Sequence, residues 1–303
     1  MKKHTFLAFA LAIISACESP QSDPSKASDL STRVENLLVE FNQKIIHAAK
    51  TKSFAEISDY YEEETFLMAE YNPLIHSIDN IKTYYNVIFS REEIKAYTRQ
   101  TVDITTFKDR IIEIGLFTKE LENSEVFRGK YFNVWKIDSA GQLVLRAESF
   151  GYLHQVDNPS TLLVAEAIAP PPPAIEIPLD LDAYNALNET NVIDRIPQRS
   201  ANVYTDDAIY LPFADTIKSG KANLLKHYEA YYHYPAKIDS IEVITYAYDE
   251  VENGYIRYTG FYVDWSVPGF SGNTSGSGIS YWRREEDNTL RMHRQTGLHI
   301  HKE

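Results

Sequence analysis

The sequence predicts an α+β fold built twice in one chain, and three observations predict it. First, the stretch from Tyr60 to Phe89 matches that from Tyr204 to His233 without a gap. Tyr60 falls on Tyr204, Glu62 and Glu63 on Asp206 and Asp207, Phe66 on Tyr210, Leu67 on Leu211, Ile81 on Leu225 and Tyr84 on Tyr228. Second, apolar residues in each half recur first at helical spacing and then at every second position, which places helices before a run of strands. Third, Pro170 to Pro173 form a stiff, extended tract between the halves. Self-similarity of this length is architectural; it says more about fold than about chemistry.

In the first half, Val34, Leu37, Leu38, Phe41, Ile45 and Ala48 stripe one face of a long helix. A short helix is expected over Phe54 to Tyr60 and an extended segment over Thr65 to Tyr71. Ser77 stands where it would cap a third helix, striped by Ile78, Ile81, Tyr84 or Tyr85, and Ile88. The period then changes to two: Val102, Ile104 and Thr106; Ile112, Ile114 and Leu116; Phe132 and Val134; Leu143, Leu145 and Ala147. The second half repeats the order. A helix is expected over Leu181 to Ile193, stopping before Pro197, then an extended Tyr210-Leu211-Pro212, then a helix striped by Leu224, Leu225, Tyr228 and Tyr231. Strands follow through Ile241 to Tyr248, Tyr255 to Trp265, Gly278 to Arg284 and Leu290 to Leu298. The Gly/Ser-rich stretch Gly269 to Gly278 lacks phosphate-loop spacing and reads as a long mobile hairpin connection.

The N-terminus reads as a targeting segment. Lys2 and Lys3 precede the apolar run Phe6 to Ile14, which is too short to span a bilayer. The run ends in Ile14-Ser15-Ala16-Cys17, which resembles the bacterial lipobox; that resemblance implies lipidation at Cys17 and a membrane anchor in the cell envelope, periplasmic or surface-exposed. Residues 18–29 are rich in Ser, Pro, Asp and Lys, as suits a tether. The expected boundaries are a signal peptide over 1–16, a disordered tether over 17–30, a first domain over 31–160, a Pro-rich linker over 161–180 and a second domain over 181–303. Cys17 is the only cysteine, so a lipidated Cys17 leaves the folded part without disulfides, thiolate chemistry or a Cys-ligated metal. The net charge of −13 would become −15 once Lys2 and Lys3 were removed, which disfavours a nucleic-acid partner.

Tyr204-Thr-Asp-Asp-Ala-Ile-Tyr-Leu-Pro-Phe-Ala-Asp, followed by Ser219-Gly-Lys-Ala, resembles the SnoaL-like branch of the NTF2-like superfamily. Gly129-Lys-Tyr-Phe-Asn-Val-Trp-Lys136 resembles a later strand of the same family. The first half departs from the pattern at Glu62-Glu63-Glu64-Thr65 and at Ser77-Ile78-Asp79. The resemblance implies two cones, each a curved antiparallel sheet wrapped around N-terminal helices with an apolar pocket at its open end. Members often dimerise through the outer face of the sheet, so the two copies are expected to form an intramolecular pseudo-dimer.

Some members of that superfamily are isomerases, dehydratases or cyclases, and others only bind or scaffold. An enzyme of this kind needs a carboxylate or His held in the cone. Candidates are Glu113 and Glu148 in the first half, and Asp264, His293 and Arg257 in the second, with Glu148 and His293 favoured as catalytic groups. Tyr60, Tyr84 and Trp135, and Tyr204, Tyr228 and Trp282, are the candidate pocket walls, with Arg257 as a further ligand contact. The simpler role of Tyr84, Tyr228, Trp135 and Trp282 is core packing. Glu148 and His293 alternate out of phase with Leu143/Leu145 and Leu290/Met292, which would aim them away from the pocket if those residues line it. In the alignment of the final strands Glu148 falls on Gln295 and His293 on Arg146, so the halves share no acid or base. His293, His299 and His301 are the only histidines grouped closely enough to suggest a metal, and no metal or cofactor is expected. The expected function is binding of a small apolar or aromatic molecule or a protein partner. A single-carboxylate or single-His enzyme and a purely structural module are the alternatives.

Overall fold

The computed structural model describes residues 24–300, with side chains from residue 32 onward. The signal segment, Cys17 and His301 lie outside the described residues. Helix α1 (Pro24–Thr51) runs across the boundary between a first unit ending at Val39 and a second beginning at Glu40. Its described part begins at Pro24, within the stretch that composition marks as a tether. No helix among the described residues is long and apolar enough to cross a membrane.

Both sheets belong to the second unit. The first comprises β1 (Tyr61–Ala69), β2 (Ile75–His76), β3 (Ile94–Thr106), β4 (Arg110–Leu121), β5 (Val126–Ile137) and β6 (Leu143–Tyr152), in the order β2-β1-β6-β5-β4-β3. Helix α2 (Ile78–Arg91) joins β2 to β3. The second half repeats this plan. Helices α3 (Leu179–Asp194) and α4 (Pro197–Asn202) precede β7 (Tyr204–Leu211) and β8 (Lys218–Ser219), and α5 (Lys221–Tyr232) follows them. Strands β9 (Lys237–Val251), β10 (Gly254–Val267), β11 (Phe270–Arg284) and β12 (Leu290–His299) complete a sheet ordered β8-β7-β12-β11-β10-β9. Each half therefore has the expected α+β plan of helices and one six-stranded sheet, with one correction. The sheets are mixed, because β1 runs parallel to β6 and β7 parallel to β12. A long crossover through a helix and four strands separates each pair, so no hairpin forces them antiparallel.

Three local expectations change. The helix expected over Phe54 to Tyr60 is two single 3-10 turns, Phe54–Glu56 and Ser58–Tyr60, hinged at the fully buried Ile57. Ser77 precedes α2 but caps none of its N–H groups with its side chain. The Gly/Ser-rich stretch is no loose connection: β11 begins at Phe270 and pairs with β10 from Val267↔Phe270 onward. Gly269, at φ 83°, closes the turn. The rings of Trp265 and Phe261 then lie over Gly272 and Gly276, supplying the packing those glycines lack.

The repeat also has a different register. Strand pairing makes Tyr61, not Tyr60, equivalent to Tyr204: Tyr61 pairs with Leu145 where Tyr204 pairs with Met292, and Phe66 with Ala147 where Ile209 pairs with Arg294. The helix starts agree, with Ser77 at φ 81°, ψ 147° and Gly220 at φ 80°, ψ 144°. Tyr85 is then the counterpart of Tyr228.

The outer faces of the two sheets meet in one buried cluster that includes Phe66, Met68, Ile114 and Phe132 from the first and Ile256, Tyr258, Ile279 and Tyr281 from the second. Ion pairs frame it. Arg294 donates to Asp103 at 2.8 and 3.1 Å, and Arg110 and Arg146 both reach Asp249. The backbone N–H of Tyr71 donates to the carbonyl of His299 at 2.8 Å. The Pro-rich segment between the halves is held at both ends. Leu162, Val164 and Ala167 are buried, Arg91 donates to the carbonyls of Thr161 and Leu163, and the N–H of Ile175 donates to Thr245.

Candidate functional site

The two cone interiors are built on one frame. In β6 the pairing register shifts between Val134 and Trp135, leaving Arg146 as a bulge. The bulge resets the alternation of the strand, so Glu148 points to the same side as Leu145, into the cone, despite its unfavourable parity. In β12 the same shift falls between Tyr281 and Trp282, with His293 as the bulge, and Gln295 takes the place of Glu148. Tyr61 and Tyr85 each donate to Glu148 at 2.6 Å. In the second half Tyr204 donates to Gln295 and shares a 2.8 Å hydrogen bond with Tyr228.

A second set of equivalent residues lies deeper. Glu113 on β4 corresponds to Arg257 on β10, Thr101 to Thr245 and Asn42 to Asn185. In the first half the amide and hydroxyl donate: Asn42 and Thr101 reach Glu113 at 3.0 and 2.7 Å, and Tyr131, Asn133 and Trp135 add three more donors. In the second half their oxygens accept instead, Thr245 from Arg257 Nε at 2.7 Å and Asn185 from Arg257 Nη1 at 2.6 Å. The same neutral frame thus holds a carboxylate in one copy and a guanidinium in the other.

The first interior is nearly full. A void of about 40 Å³ remains beside Glu148, Arg99, Tyr84 and Phe150, room for about one or two waters. Burial raises the carboxyl pKa of Glu148, against the lowering effect of Arg99 and the two phenols. Burial likewise holds the Tyr61 and Tyr85 phenols well above their usual value. The second interior encloses a cavity of about 460 Å³. Its extra space comes from small residues at equivalent positions. The cross-strand pair Tyr131–Phe150 is replaced by Gly278–Gly297, and Arg99 by Val243. Tyr204, Tyr210, Tyr228, Phe213 and Trp282 wall the cavity, and Tyr231, 56 % exposed, stands at its rim.

The sequence-selected residues sort accordingly. Tyr204, Tyr228, Arg257 and Trp282 share this one cavity. Tyr84 and Glu148 border the small void of the first half. Trp135 is fully buried and packs edge-on against Phe41 and Tyr60, so Trp135 and Tyr60 serve as core. Asp264 lies away from the cavity, accepting from Ser240 on the sheet surface. His293 is absent from the cavity wall. Its ring meets Tyr281 on the face turned toward the first sheet, Nδ1 lies 3.0 Å from Thr205 and Arg283 approaches Nε2. Desolvation, with help from Arg294 and Arg283, pushes its pKa down to about 4, so it is neutral at pH 7. The cavity residues that sequence reasoning passed over are Tyr210, His227, Gln295 and His299. Gln295 was within reach, through its alignment with Glu148. No group of three potential metal ligands occurs among the described residues.

No family model matches the chain, and no curated protein matches it. Several solved structures resemble less than half of the chain. A ketosteroid isomerase-like protein from Erwinia carotovora atroseptica aligns at 12% identity over 41% of this chain and 95% of its own, with a TM-score of 0.37. A conserved protein from Planctomyces limnophilus aligns at 17% identity over 40% of this chain and 94% of its own, TM-score 0.37. The beta subunit of a putative aromatic-ring-hydroxylating dioxygenase from Novosphingobium aromaticivorans aligns at 13% identity over 41% and 89%, TM-score 0.36.

Proposed function

We propose that this is a binding protein whose second half takes up a small aromatic or apolar molecule, while the first half is a filled copy that supports it. The observation that carries this reading is the contrast between about 460 Å³ and about 40 Å³ on one frame. The larger value lies in the range of small-molecule sites. Turnover by Glu148 would require a substrate to enter a space sized for water. The contacts between the outer sheet faces support reading the halves as an internal pair. The basic, apolar and Cys17-terminated N-terminal segment supports export and lipid anchoring in a bacterial envelope; Cys17→Ser should move the protein from the membrane to the soluble fraction.

The binding test uses the other copy as its template. Gly297→Phe installs the residue of the first half, and a Cβ at position 297 meets only the Tyr210 ring, at 3.6 Å or more. With 2-naphthamide as probe, NMR titration should show shifts confined to the second half in the wild type and none in Gly297→Phe, with unfolding unchanged or delayed. Equal binding by the filled variant would place the probe elsewhere and overturn the reading.

A further inference from the structure

We infer that the ligand of the second half is an anion, a small aromatic or apolar carboxylate, held by Arg257; the inference rests on the binding role proposed above for the same cavity. Arg257 is 2 % exposed and borders the cavity. Its two hydrogen bonds from Nε and Nη1 go to neutral oxygens of Thr245 and Asn185, and no carboxylate lies within ion-pair distance of it among the described residues. Asn185 hands part of the charge on, donating to Glu189 at 3.0 Å, but that carboxylate is also engaged by the N–H of Val243. A buried guanidinium without a contacting anion is costly, and unpaired charges of this kind are ordinarily matched by a partner. Desolvation lowers its pKa to about 10, against the raising effect of the more distant Glu189 and Asp182, which leaves it protonated at neutral pH.

The first half shows the same frame with its charges supplied by the chain and its interior filled, although among the described residues no carboxylate lies within ion-pair distance of Arg99 either. There Arg99 stands among Glu113, Glu148, Tyr97 and Tyr131, and acids and base come from the chain itself. In the second half each of these has changed: Glu113 to Arg257, Glu148 to Gln295 and Arg99 to Val243. Both carboxylates are gone, one cation has been exchanged for another, and the cavity has opened. Gln295 and Ser280 border the same space and offer donors to an oxyanion, and Asp215, the one carboxylate of the lining, is engaged by Lys218. A carboxylate on an aromatic body fits both halves of this lining, its head on the planar guanidinium and its ring among the tyrosines.

A matched pair of probes tests this: 2-naphthoate and 2-naphthamide, titrated by NMR into the full chain, into Arg257→Met and into Gln295→Glu. The wild type should bind the carboxylate about tenfold or more tightly than the amide, the scale of a charge-assisted contact. Arg257→Met should abolish that preference, weakening the carboxylate about tenfold more than the amide. Gln295→Glu retains the acceptor for Tyr204, as Glu148 does for Tyr61, and keeps the test informative if Arg257→Met fails to fold. It should weaken the carboxylate about tenfold and spare the amide. Equal wild-type affinity for both probes, or an undiminished preference in a folded variant, overturns the anionic assignment and leaves aromatic binding intact. Failure of both probes to bind overturns the binding role as well.

Discussion

Phe150 and Gly297 hold the same place in the two copies, the first closing a cone and the second leaving one open. Each sits across from its equivalent on the adjoining strand, Tyr131 and Gly278 respectively. If Phe150 is what fills the first cone, its removal should open one. Phe150→Ala is expected to cost about 3 kcal/mol, near the low end for an aromatic truncation because the ring is only half-buried. Urea unfolding would measure the loss. A cost below about 1 kcal/mol would mean the neighbouring rings collapse into the gap, and that Phe150 does not set the difference in volume.

Glu113 has five donors aimed at it and Arg257 two acceptors, so the two substitutions should differ in severity. Glu113→Ala strands the donors of Asn42, Thr101, Tyr131, Asn133 and Trp135 in a dry interior. A loss of about 3–5 kcal/mol is expected, as when one partner of a buried charged network is removed. Arg257→Met should cost about 1–2 kcal/mol, since only two hydrogen bonds are lost and the aliphatic stem is retained. Paired urea titrations of the two variants check the order; Arg257→Met falling as far as Glu113→Ala would contradict it.

Tyr204, Tyr228, Arg257 and Trp282 lie on one cavity, and the order of helices and strands was legible because it rests on local patterns and on a long self-match. The register of the repeat was not. Tyr60-Tyr61 and Tyr84-Tyr85 are adjacent like pairs, so a sequence match can slide by one residue and still place tyrosine on tyrosine. The inward aim of Glu148 was hidden for a different reason: period-two reading assumes an unbroken ladder, and the bulge at Arg146 breaks it. Glycine misled as well. Gly272 and Gly276 suggest a loose connection until the rings of Trp265 and Phe261 cover them. The volume of a cone depends on which cross-strand partners meet, and no pattern along one strand records that.

Ser77 occupies a backbone conformation that its counterpart meets with glycine. At φ 81°, ψ 147° a side chain is disfavoured, and Gly220 adopts nearly the same angles at the same place before its helix. The Ser77 hydroxyl accepts from Asn80 at 3.0 Å, which recovers part of the strain. Ser77→Gly is expected to stabilise the chain by about 1 kcal/mol, and Gly220→Ser to destabilise it by at least as much. Guanidinium unfolding of both variants would decide; a destabilised Ser77→Gly would mean the Asn80 contact outweighs the strain.

Acid should weaken the second half through its histidines. His299 stacks on Phe213, with centroids 4.0 Å apart and planes 8° from parallel, and burial pushes its pKa down to about 4. His293 is likewise lowered to about 4. A depressed folded-state pKa gives stability that is complete above the ordinary value of 6.5 and is lost as pH falls through 4, because the unfolded chain takes up the proton first. His299→Phe keeps the stack without the titration, so its unfolding midpoint should fall less than that of the wild type between pH 7 and pH 4. Parallel midpoints across that range would show that His299 does not titrate as a buried group.

Glu148 carries the opposite sign. Its folded pKa is raised above 4.5, mainly by burial, so its contribution is complete below 4.5 and declines as pH rises through the folded value. Glu148→Gln can still accept from Tyr61 and Tyr85 but never has to bury a charge. The variant should therefore match the wild type near pH 4 and exceed it in stability at pH 8, with the difference growing between the two. Denaturant midpoints across this range supply the measurement. A variant less stable than the wild type at pH 8 would mean that Arg99 and the two phenols more than offset the desolvation of the Glu148 carboxylate, and that the first interior depends on that charge.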